Sequence, residues 1–191
     1  MSQKFLEDRR RSLEEAFFAK KNRELMERLR RQQETEEYML ALRVASGIQD
    51  EELLERLHAL GMSAETVAAL SLVPLVEVAW ADGGVAAAER EAVLRAAHAV
   101  GIASGSDAEA LLDQWLEERP PAEVVEAWKE YISALAAELG PDALSALETE
   151  VMERARRVAA AAGGFLGAGA VSGKETDKLD ELSRAFHHTG S

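Results

Sequence analysis

Cysteine is absent from this chain, which excludes disulfides, thiolate metal sites and cysteine nucleophiles. No apolar run reaches the roughly 18 residues of a membrane span. The nearest approach, 158–171, is broken by Gly163, Gly164, Gly167 and Gly169. It reads as a buried helix end followed by a tight loop, with a glycine-rich hairpin touching lipid as the other reading. A signal core is also missing, since Phe5-Leu6 runs straight into Glu7-Asp8-Arg9-Arg10-Arg11. A cytoplasmic location is the expectation. Alternating β-branched runs are lacking, and only 5% of residues are aromatic. Alanine, leucine and charged residues, which favour helix over sheet, take their place.

A basic excess is lacking too, because the net charge is −13. That argues against generic phosphate-backbone binding, so no nucleic-acid partner is expected. The charge is unevenly placed. Residues 1–31 hold ten Lys/Arg against six Asp/Glu, a net of +4, while the remainder carries −17. The acidic body fits attraction of cations, a basic partner, or solubility alone.

Residues 3–33 contain neither proline nor glycine, and apolar side chains recur at Phe5, Leu13, Phe17, Phe18, Leu25, Met26 and Leu29. This spacing predicts an amphipathic helix with a thin stripe, continuing through Tyr38 and Leu42 to Gly47. The reading is a basic arm over 1–46 and an all-helical domain over 47–191. The arm either packs on the body or projects to meet a protein partner or a second copy. Phe5, Phe17 and Phe18 are its candidate partner-binding residues.

Beyond the arm, caps and breakers mark the helices. Asp50 caps a helix with Leu53, Leu54, Leu57 and Leu60 inward, ended by Gly61, and Ser63 opens a short one with Val67 and Leu70. Pro74 starts a helix that is apolar nearly all round and should be the most buried. Helices follow from Ala86 to Val100, closed by Gly101, from the Ser106 capping pattern to the stop at Arg119-Pro120-Pro121, and from Pro121 through Trp128. A long helix restarts at Pro141, and the last runs from Ser172 to His187. The fold class is all-α, about eight or nine helices.

One pattern occurs twice. Val78-Ala79-Trp80-Ala81-Asp82-Gly83-Gly84-Val85, then Glu89, returns in worn form as 158–164, Val171 and Glu175. Each copy ends one apolar helix, turns through glycines and opens another helix with a glutamate in its first turn. Val93, Ala96 and Val100 are expected to match Leu179, Leu182 and Phe186. The reading is a duplicated helix-loop-helix bundle in which neither half buries its apolar face alone.

With Ala81, Asp82, Gly83, Val85 and Glu89 in the first half, and Gly163, Gly164, Val171, Ser172 and Glu175 in the second, residues 50–187 resemble the TerB-like family of tellurite-resistance-associated helical domains. The resemblance implies an all-α fold with pseudo-two-fold symmetry and an acidic site for a divalent cation. It also implies a non-enzymatic role in stress response, metal sensing or membrane-associated assemblies. This chain departs from the pattern where Ala162 stands at the place of Asp82, so a site built on two loop aspartates is impossible.

A hard cation needs several oxygens at once. Asp82 and Glu89 are the candidate ligands, with Glu77 or Glu175 as further donors. The competing reading is local: Asp82 turns the chain, and Glu89, like Glu175, caps a helix N-terminus. The Gly167–Thr176 stretch lacks the glycine and hydroxyl spacing of a phosphate loop. His58, His98, His187 and His188 have no ligand at convincing spacing, and Trp80, Trp115 and Trp128 read as core anchors. No Ser/His/Asp set assembles, so the expected function is a non-catalytic binding or sensing module. Its rival is a purely structural assembly protein with Phe5–Leu29 as the oligomerisation helix.

Overall fold

A computed structural model describes residues 2–163 and 171–187. The chain forms two compact units, 1–40 and 41–191. The first helix, α1 (Ser2–Ser46), runs through both. Its last residues belong to the second unit, where Leu42 is fully buried. The unit boundary therefore falls inside the helix, before the expected limit at residue 46.

In the first unit Leu25, Met26, Leu29 and Leu40 are exposed. Polar pairs one turn apart, such as Arg30 with Glu34 at 2.9 Å, support the helix between Lys20 and Glu36. The side chains of Phe5, Phe17 and Phe18 lie outside the described residues.

In the second unit, α2 (Glu51–Ala59) begins where Asp50 accepts a hydrogen bond from the Leu53 N–H at 3.1 Å. Glu51 and Glu52 in its first turn match the positive end of the helix dipole. A 3₁₀ segment (Val67–Leu72) runs directly into α3 (Val73–Ala79), with Pro74 in the first turn. All seven residues of α3 are buried, Glu77 included, as the nearly all-round apolar character of this stretch predicts. The remaining helices are α4 (Ala87–Ala99), α5 (Asp107–Glu117), α6 (Ala122–Glu138), α7 (Pro141–Gly163) and α8 (Gly173–Ser183). A short 3₁₀ turn, Arg184–Phe186, closes the last one. Among the described residues there are eight α-helices and no strand.

α7 shows how the sequence positions these elements. Val151, Met152, Ala155, Val158 and Ala159 are buried, and their spacing of one, three and four makes one helical face. That helix packs on α3 and α4, and α8 packs on α3 and α7. Ala97 of α4 and Ala155 of α7, both fully buried, leave room for close approach of the helix axes. Trp128 of α6 is fully buried and meets Phe186 edge-on, with ring centroids 5.9 Å apart. Burying such side chains contributes roughly 1.5–3 kcal/mol each. Trp115 is buried as well, and the Trp80 indole N–H donates to the Trp115 carbonyl at 2.8 Å.

The two helix-loop-helix segments, α3–α4 and α7–α8, thus sit against each other in one interior. Their registers agree at Glu89 with Glu175 and at Val93 with Leu179, all buried. Further along they diverge. Val100 is 37% exposed although Phe186 is buried, and α4 continues its buried face through Ala97 instead. The physical reason is the ending of each helix: α4 stays α-helical to Ala99, whereas α8 tightens into 3₁₀ and turns Phe186 inward.

Candidate functional site

The connection from α3 to α4 is short and held by its own backbone. The Ala81 N–H donates to Val78 at 3.0 Å and the Gly83 N–H to Trp80 at 2.9 Å. Gly83 has φ +96°, a conformation that L side chains rarely adopt, so a glycine is needed at this turn. The chain then extends through Ala86 (φ −72°, ψ 152°) into α4. Ser172, the residue before α8, has nearly the same backbone (φ −69°, ψ 162°).

At both places a glutamate reaches back. Glu89 Oε2 accepts from the Ala86 N–H at 2.7 Å, and Glu175 Oε2 accepts from the Ser172 N–H at 2.5 Å. At α8 the capping is reciprocal, since the Glu175 N–H donates to Ser172 Oγ at 3.2 Å. Ala86 has no side chain to return the bond, so α4 makes only half of that arrangement. The local capping role expected for Glu89 and Glu175 is therefore present.

Both residues are nevertheless buried, each 4% exposed, and the Glu175 carboxylate acts electrostatically on Glu89. Burial pushes the Glu89 carboxyl up; the Ala86 N–H opposes this, and the negative charges of Glu175 and Asp82 add to it. Asp82 is exposed and accepts a hydrogen bond from Ser172 Oγ at 3.2 Å. Three acids from two connections thus come together: Asp82 and Glu89, named from sequence as candidate ligands, and Glu175. Among the described residues no group of three or more His, Asp or Glu side chains is placed so that it could hold a metal ion. A cation here would need loop carbonyls or water to complete its shell.

Glu77, also considered as a donor, is placed otherwise. It is 2% exposed and forms an ion pair with Arg119, Nη2 to Oε2 at 2.8 Å, while Lys178 Nζ lies 3.6 Å away. Its charge is compensated within the fold, and it works as a tie between α3, the α5–α6 connection and α8. His98 likewise has a partner not evident from spacing: its Nε2 is 2.5 Å from Glu109 Oε1 on α5. His187 Nε2 lies 3.0 Å from Glu148. His188 and residues 164–170 of the glycine-rich stretch lie outside the described residues.

Sequence reasoning did not find the Ser172–Asp82 bond. The available signal was positional: Ser172 precedes α8 by the same interval at which Ala86 precedes α4, which brings the two connections to one end of the paired hairpins. Among the described residues no helix is long and apolar enough to cross a membrane. No family model, curated protein or solved structure matches the chain.

Proposed function

We propose that the chain is a non-catalytic, TerB-like binding or sensing module built on two related helix-loop-helix halves. A divalent cation binds at the α3–α4 connection through Asp82 and Glu89, with Glu175 beside them, and the basic N-terminal helix recruits a partner. The observation that carries this reading is the convergence of Asp82, Glu89 and Glu175 without the compensation that Arg119 and Lys178 give Glu77. The charges acting on Glu89 are both negative and push its carboxyl up, so a bound cation would relieve that repulsion. Cation binding would also stiffen the contact between the two hairpins, because Asp82 and Ser172 bridge them.

Isothermal titration with Mg²⁺, Ca²⁺ and Zn²⁺, alongside tryptophan fluorescence, tests this proposal. Trp80 stands two residues before Asp82 and is its natural reporter. Saturable binding that Asp82→Ala weakens supports the site; identical behaviour of wild type and variant overturns it.

A second reading is favoured by the capping bonds, which already give Glu89 and Glu175 a structural role. In that reading the connection is only a helix joint and the chain serves assembly. Absence of binding for all three cations, together with oligomers that depend on the arm, would select it.

A further inference from the structure

The body carries a groove with an apolar floor and an acidic rim. One part, of about 430 Å³, is lined by Val67, Val100, Ile102 and Ala108, with Glu65 at its edge. A second part, of about 310 Å³, has Leu135 and Ile48 with Asp50 and Glu138. Ser46 and Tyr131 line both, so the two are continuous, and neither is lined by a lysine or arginine. Val100, left 37% exposed where α4 ends, lines this groove.

The arm has the opposite properties. Leu25, Met26 and Leu29 are 52%, 67% and 47% exposed and share a face by their spacing of three and four. Arg28, Arg30 and Arg31 surround them. An amphipathic helix presenting such anchors, with cationic flanks, is what an apolar groove with an acidic rim accepts.

We infer that this groove receives the Leu25–Arg31 segment of a second copy of the chain, giving a two-fold dimer in which the arms are exchanged. The inference rests on the partner-recruiting reading of the arm and names its partner. Both charge and chain geometry argue for a second copy. The arm, 1–46, carries a net +2 against −15 for the rest of the chain, and no glycine or proline between Ser2 and Ser46 offers a place for the helix to turn back. Exchange uses the same complementarity twice, the rule for an isologous pair.

Because the chain has no cysteine, introduced thiols are unique in it. Full-length Leu29→Cys and Val100→Cys chains, differently tagged, are mixed and oxidised. The proposal expects the mixed disulfide to dominate over either homodimer. Light scattering should find wild type dimeric, weaker at high salt as screening shortens the reach of charge. Leu25→Glu with Leu29→Glu should weaken the dimer by roughly thirtyfold or more. Predominant self-pairing of Leu29→Cys overturns the groove as the docking site while leaving arm-mediated association standing. A wild type that stays monomeric at all concentrations overturns the proposal and self-association together. A monomeric chain in which the double variant Leu29→Cys/Val100→Cys closes its own disulfide overturns it in favour of the arm's own body.

Discussion

Ser172 Oγ donates to Asp82 Oδ1 at 3.2 Å across 90 residues of sequence, tying the start of α8 to the turn after α3. The same hydroxyl accepts the Glu175 N–H, so one serine both caps a helix and joins two connections. Ser106, which caps α5 by accepting the Glu109 N–H at 3.3 Å, provides the comparison. Ser106→Ala should cost about 1 kcal/mol as a lost cap. Ser172→Ala should cost that plus a few tenths for the exposed bond to Asp82, roughly 1–1.5 kcal/mol in total. In an Asp82→Ala background the excess should vanish, which denaturant melts of the four combinations would measure.

Glu89 gives a pH dependence with a definite sign. Its carboxyl is pushed above the ordinary glutamate range in the folded chain, first by burial. Between the unfolded and folded values the folded chain holds more protons, so this group's stability contribution is present at low pH and is lost as pH rises through the folded value. Glu89→Gln keeps an acceptor for the Ala86 N–H and removes the charge. At pH 7.5 it should be neutral to stabilising, within about 1 kcal/mol, and the variant should lose ground relative to wild type toward pH 4. Chemical denaturation at the two pH values reads this difference directly.

In the Glu77–Arg119 pair each charge is answered by its partner. Arg119→Met leaves a buried carboxylate with only Lys178 at 3.6 Å. A fully buried broken pair costs roughly 3–5 kcal/mol, but the Arg119 side chain is half-exposed and Lys178 remains, so about 1–2 kcal/mol is expected. Adding Glu77→Leu should recover at least half of the loss, as measured by a double-mutant cycle in urea.

The two best-placed tryptophans should separate packing from hydrogen bonding. Trp128→Ala empties a fully buried site against Phe186 and should cost roughly 3–5 kcal/mol. Trp80→Phe keeps most of the ring volume but leaves the Trp115 carbonyl without its 2.8 Å donor, for about 1–2 kcal/mol. Thermal unfolding of both variants would show the order.

Helix positions were legible because punctuation and periodicity agreed. Asp50, Ser106 and Ser172 each cap the helix that the sequence assigns to them, and the nearly all-apolar stretch after Pro74 became the buried α3. Val100 was misread because the repeat was extended past the point where α4 and α8 end differently, a distinction set by tertiary packing. At the candidate site, the glutamates at the third position of α4 and α8 were visible as caps. The action of the Glu175 charge on Glu89 was not, because it depends on how α4, α7 and α8 stack. The partners of Glu77 and His98 were hidden for the same reason: Arg119 and Glu109 are 42 and 11 residues away, on other parts of the fold.

Thermal unfolding of full-length wild type and Asp82→Ala, with and without saturating divalent cation, tests the cation site most directly. A ligand that binds only the folded chain at about a hundred times its Kd adds roughly 2.7 kcal/mol. The account predicts a rise of several degrees in the wild-type Tm that is largely lost in the variant. Equal shifts in both proteins, or none in either, would contradict it.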